Sequence, residues 1–202
     1  MSPKEFKKNW NAPAEPLRQI SGNRLAAFNL HDDTRIFLAF AGLPAYAAPY
    51  LSFSEDSDDE VYGINNLVDI FETDETDGDR NDPGKYVVIG SCRDGDLIAI
   101  KTTEGDKIFE LDHEDHFTPA YFNVSIEALA DFLIIYRDFE HAVIAAHGEE
   151  KHRNGYFTDE QFEELKAKMN TVDPDALTED GFWKDQLEIK YSLRKEYLRE
   201  QS

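Results

Sequence analysis

The chain carries one cysteine, Cys92, in 202 residues. No disulfide can form within it, and four-cysteine zinc chemistry is excluded. Positive charge is scarce: 21 Lys and Arg face 42 Asp and Glu, a formal net charge of −21. A surface of that sign repels nucleic-acid phosphates and anionic lipid head groups, so neither is the expected partner; a basic partner is favoured instead. Solubility alone is the plain explanation of such a charge. No apolar run reaches the roughly 18 residues of a membrane-spanning helix. The opening residues MSPKEFKKNW also lack the apolar stretch of a signal peptide. Cytoplasm is therefore the expected compartment.

What is present points to a folded core. Hydrophobic residues make up 41% and aromatics 12%, and 202 residues fit a single domain spanning 1–202. No repeat or domain linker interrupts it. The most informative stretch is Lys85–Asp115, KYVVIGSCRDGDLIAIKTTEGDKIFELDHED. Three apolar runs, Val87–Ile89, Leu97–Ile100 and Ile108–Leu111, are separated by Arg93-Asp94-Gly95-Asp96 and Glu104-Gly105-Asp106. Gly/Asp turns between β-branched runs predict an antiparallel meander of strands over 85–91, 96–101 and 106–111.

Helices are expected on both sides of these strands. Ser2-Pro3-Lys4-Glu5 supplies a cap, a first-turn proline and a third-position Glu, and predicts a helix to Trp10. A second helix is expected from Asp32 or Asp33, capped by that carboxylate and ended at Gly42-Leu43-Pro44. Residues 50–53 and 61–71 are candidate strands, the second with uneven alternation. Ser125–Ala146 predicts a mostly buried helix with one wet stripe at Glu127, Asp131 and Asp138. Thr158 should cap a helix to about Met169. The last helix runs from about Phe182 to Arg199, with Trp183, Leu187, Tyr191 and Leu198 on one face.

Charge concentrates in Ser54–Gly84. Twelve carboxylates there face Arg80 alone, a net −11. Asp56–Glu60 and Thr73–Pro83 read as exposed loops. A calcium loop starting at Asp77 fails, because its sixth position is Asp82 instead of Gly and its twelfth is Val88. His113-Glu114-Asp115-His116 has its two His three apart instead of four, and Phe117-Thr118-Pro119 follows as a loop, so zinc hydrolase geometry is not expected. No G-x-S-x-G occurs, and no glycine-rich run leads into a helix with Lys and Ser/Thr. No catalytic set, metal or cofactor is expected.

Three segments carry a family resemblance. The wording IG…GDLIAI…GDKIFELDHED within 89–115 resembles the central strands of the SUKH superfamily, also known as Smi1/Knr4-like proteins. Thr34–Phe53, TRIFLAFAGLPAYAAPYLSF, is similar to the SUKH-4 entry helix with its Gly-Leu-Pro exit. Thr171–Leu187, TVDPDALTEDGFWKDQL, resembles the C-terminal end of SUKH-4 immunity proteins, except that Phe182 stands where many relatives carry a Trp before Trp183. The likeness runs from about Asp32 to Glu188. It implies an α+β, SUKH-like fold: a twisted, mainly antiparallel sheet of about five or six strands, flanked by N- and C-terminal helices. It also implies an immunity protein of a bacterial polymorphic-toxin system, which binds a cognate protein toxin domain stoichiometrically. A nucleic-acid-acting toxin such as a nuclease, with its basic substrate groove, is the expected kind of partner. The candidate contact residues are Asp56, Asp58, Asp59, Glu60, Asp74, Asp77 and Asp79; a flexible solvated loop is the competing reading of the same carboxylates. An intracellular Smi1/Knr4-like adaptor or regulatory scaffold is the alternative function that the resemblance allows.

Overall fold

The computed structural model describes residues 1–71, 83–92, 95–178 and 181–201. Its first helix, α1 (Pro3–Trp10), forms as its opening residues dictate. The Glu5 N–H donates to Ser2 Oγ, and the Ser2 N–H donates to the Glu5 carboxylate at 3.0 Å, a reciprocal capping box with Pro3 at the first helical position. This fixes the helix so that Phe6 and Trp10 point into the core.

After β1 (Leu17–Arg18) and α2 (Gly22–Leu25) comes α3 (Asp32–Phe40). The expected cap by Asp32 or Asp33 does not form. His31 is the N-cap residue, and both aspartates lie in the first turn, where they complement the helix dipole. The backbone N–H of His31 donates instead to Asp106 Oδ2 at 2.7 Å, a carboxylate 75 residues away. The chain leaves α3 through Gly42 at φ +71, where a Cβ would sit 1.9 Å from the Arg18 carbonyl oxygen. Glycine is required there twice, for the left-handed backbone and for the close pass of β1. Directly after it, β2 (Leu43–Pro44) pairs antiparallel with β1.

The hairpin β3 (Tyr46–Ala47) and β4 (Leu51–Phe53) opens the main sheet. The strand expected over 61–71 is replaced by β5 (Asn65–Asn66) and one helical turn, α4 (Leu67–Ile70). The uneven alternation has this cause: Leu67 and Ile70, three apart, pack in one cluster while Val68 and Asp69 between them are exposed, a helical rather than a period-two arrangement.

The predicted meander is present. β6 (Tyr86–Ser91), β7 (Leu97–Lys101) and β8 (Lys107–Asp112) pair consecutively and antiparallel. Positive φ at Gly95, Gly105 and Asp106 makes the tight reversals. Residues 113–117 form a turn, as expected for His113–His116, but Thr118 and Pro119 then open a further strand, β9 (Thr118–Asn123), paired with β8. Pro119 is compatible with it because β9 is an edge strand, where a missing N–H costs no ladder bond on the open side. Among the described residues the main sheet has seven strands, in the order β3-β4-β6-β7-β8-β9 with β5 also on β6, and every pair in it is antiparallel. That is one strand more than the upper expectation.

Among the described residues α5 (Ile126–His147), α6 (Glu149–Arg153), α7 (Asp159–Val172) and α8 (Phe182–Glu200) follow. Ser125 caps α5, and Thr158 with Gln161 forms a capping box on α7. Glu127 and Asp131 are half-buried and Asp138 is exposed, so the wet stripe of α5 is real but shallow. Asp131 takes the N-terminal amino group at 2.6 Å. Helices from both ends of the chain cover the sheet face that carries Ile98, Ile100, Ile108 and Phe122. The opposite face holds a smaller cluster of Leu67, Tyr86, Val88, Ala99 and Leu111. The architecture is α+β, a mainly antiparallel sheet flanked by N- and C-terminal helices, as expected. One detail differs: Leu198 is 40% exposed, because α8 runs past the core after Tyr191.

Candidate partner-binding surface

Four of the seven candidate carboxylates share one loop, residues 54–64, between β4 and β5. Asp56, Asp58, Asp59 and Glu60 are all exposed. The backbone beneath them is tied down. Asp59 Oδ1 accepts from the N–H groups of Val61 and Tyr62, both at 2.9 Å, and the Asp59 carbonyl accepts from Gly63 N at 2.8 Å and Asn65 Nδ2 at 2.9 Å. The Glu55 N–H donates to the Tyr62 carbonyl at 2.8 Å, closing the loop on itself. From outside, Ser21 Oγ donates to Asp56 Oδ1 at 3.0 Å, Arg18 pairs with Glu55 at 3.6 Å, and Arg24 donates to the Ile64 carbonyl at 3.0 Å. A Cβ on Gly63 would lie 2.2 Å from the Ser57 carbonyl oxygen, so only glycine lets the two arms approach this closely. The backbone of residues 54–64 is thus held by hydrogen bonds, while the carboxylates of Asp56, Asp58, Asp59 and Glu60 remain exposed to solvent. Asp74, Asp77 and Asp79 lie outside the described residues.

The loop also presents two side chains that the sequence reading placed in a strand. Val61 is 78% exposed and Tyr62 66% exposed. The signal for them is the dipeptide Val-Tyr following Asp58-Asp59-Glu60 with a glycine behind it, a turn-tip pattern.

A second group of polar residues gathers at the β7–β8 end of the sheet. His113 Nδ1 lies 2.8 Å from Asp96 Oδ1, which also accepts from His113 N at 3.0 Å. Asp112 Oδ1 accepts from Glu114 N at 2.8 Å and Asp115 N at 3.1 Å. The side chains of Asp96, Asp112 and His113 bring possible ligand atoms within 4.8 Å of one another, the one such group among the described residues. The same atoms close the turn after β8, which is a sufficient reason for their placement. Asp96 raises the His113 pKa above its usual value by hydrogen bonding to it. Next to this group, burial pushes the Glu110 carboxyl up to about 7; repulsion from Asp96, Asp185 and Asp112 adds to the shift, and a hydrogen bond with Cys92 opposes it.

The C-terminal motif builds a buried polar network. Asp173 is 3% exposed. Its carboxylate accepts from Val124 N at 2.8 Å, from Tyr121 OH at 3.2 Å and from Asn123 Nδ2 at 3.3 Å. Asn123 Oδ1 in turn accepts from Trp183 Nε1 at 3.0 Å. Trp183 is fully buried among Phe122, Phe132, Tyr136 and Phe182, with centroids 5.2 to 6.0 Å away. Phe182 stacks on Phe122 at 4.3 Å. The motif thus joins α7, β9 and α8 and leaves no polar atom of Trp183 unpaired.

The sequence profile described as SUKH-4 immunity protein matches residues 9–189. The chain belongs to the SUKH-4 immunity protein family. No curated protein and no solved structure matches it. The matched span reaches from the end of α1 into the first half of α8. It contains the Gly42 exit, the central meander and the Asp173–Trp183 network, so the three resembling segments of this SUKH-4 protein are all parts of its architecture. The acidic loop sits between them on the surface. Among the described residues, no helix of this SUKH-4 protein is long and apolar enough to cross a membrane.

Proposed function

We propose that this SUKH-4 protein neutralises a cognate toxin domain by binding it stoichiometrically, and that the loop at 54–64 presents its carboxylates to a basic surface of that toxin. The observation that carries this reading is the joint exposure of Asp56, Asp58, Asp59 and Glu60 on a tied loop. Carboxylates fixed on one side of a molecule of net charge −21 attract a basic groove over long range and raise the association rate by roughly 10- to 1000-fold. A nucleic-acid-acting toxin offers such a groove, because its substrate is a polyanion. Asp74, Asp77 and Asp79 are included among the proposed contacts for their charge in the sequence alone. Occluding a groove needs no turnover and no cofactor. The chain acts as one SUKH-like domain over 1–202, in the cytoplasm of the bacterium that makes the toxin.

Co-expression tests this reading. A candidate toxin domain, taken from a gene next to this one, should arrest growth alone and not when the two are made together, and the purified pair should run as a complex of fixed stoichiometry. Absence of both rescue and complex contradicts the immunity role and favours the adaptor.

A further inference from the structure

We propose that Val61 and Tyr62 are the apolar anchor of the toxin interface, inserting into an apolar or aromatic recess rimmed by basic residues. This rests on the immunity reading and names how the contact is held once made. Single exposed apolar side chains are ordinary. These two are adjacent, and at 78% and 66% Val61 and Tyr62 are among the most exposed large hydrophobics described. They are also held: both N–H groups donate to Asp59 Oδ1, and the Tyr62 carbonyl accepts from Glu55 N. A tip whose backbone is already fixed loses little conformational entropy on docking, so the burial of Val61 and Tyr62 converts into lifetime of the complex. Tyr is enriched among residues that dominate interface energetics, in centres surrounded by polar rims. Here the rim is Asp56, Asp58 and Glu60, all exposed. That rim selects a basic partner and disfavours a second copy of this chain, which would bring like charges together.

Surface binding kinetics separate the anchor from the rim. The probe is the neighbouring toxin domain, immobilised, with wild type, Val61→Thr, Tyr62→Ser and the double variant as analytes. Both side chains are exposed and their hydrogen bonds are made by backbone atoms, so melting temperatures should match wild type. The expected result is dissociation at least ~10-fold faster for the double variant, with an association rate within ~2-fold of wild type. Wild-type binding with unchanged dissociation of the double variant overturns the anchor and leaves the immunity role standing. Failure of wild type itself to bind overturns both.

Discussion

Trp183 donates its indole N–H to Asn123 Oδ1 at 3.0 Å, while the amide nitrogen of the same asparagine donates to Asp173 at 3.3 Å. One buried side chain thus links the C-terminal helix to the segment that precedes it, across the edge strand β9. Trp183→Ala should cost roughly 3–5 kcal/mol in denaturant unfolding, since it empties a fully buried site and strands an acceptor. Trp183→Phe keeps much of the volume and loses the donor; a cost of about 1–3 kcal/mol is expected. A loss below about 1 kcal/mol for Trp183→Ala would show that α8 is not part of the core.

Asp173 is the hub of the same network, with three donors on one buried carboxylate. Asp173→Ala should destabilise by about 2–4 kcal/mol, because it leaves the Val124 N–H and the Asn123 amide without a partner. Asp173→Asn retains one acceptor oxygen and should be milder. Thermal unfolding of the two variants, ranked against wild type, checks the order.

Gly63 decides the shape of the acidic loop. Gly63→Ala places a Cβ against the carbonyl oxygens of Ser57 and Asp59, at 2.2 and 2.6 Å, so the arms must part. The expected result is faster amide hydrogen exchange at Val61 and Tyr62, with the meander protected as in wild type. Unchanged exchange across residues 55–63 would show that the loop does not depend on this close approach.

Glu110 gives the fold a pH dependence of known sign. Its pKa is raised from about 4.5 to about 7 on folding, mainly by burial. The folded state therefore holds the proton more tightly than the unfolded chain, and this group's contribution to stability falls as pH rises from about 4.5 to about 7, then levels off. Glu110→Gln removes the ionisation. It should be more stable than wild type at pH 8, by on the order of 1 kcal/mol after allowing for solvent screening. At pH 4 the advantage should vanish. Denaturant midpoints at the two values test it; an advantage of equal size at both would assign the effect to packing.

Local signals made most of the fold readable. The capping box at Ser2–Glu5, the Gly/Asp turns of the meander and the apolar run of α5 act within a few residues, and each appears where the sequence places it. What the sequence hides is long-range. The His31 N–H finds its acceptor on Asp106, in a turn of the central sheet, and nothing near His31 announces that. Thr118-Pro119 reads as a continuation of the turn at 113–117 because proline argues against a strand, but an edge position removes the penalty. The candidate surface divides in the same way. Its carboxylates stand out by number, whereas the exposure of Val61 and Tyr62 follows from the hydrogen bonds of Asp59, which no periodicity encodes.

The acidic loop's role in capturing the toxin is tested most directly by stopped-flow association at two salt concentrations. The comparison is wild type against an Asp56→Asn, Asp58→Asn, Glu60→Gln variant that spares Asp59, whose carboxylate holds the loop. The account predicts a slower association for the variant, a flatter salt dependence and a nearly unchanged dissociation rate, because long-range charge acts before contact. An association rate and salt dependence equal to wild type would contradict it and leave these carboxylates as determinants of solubility.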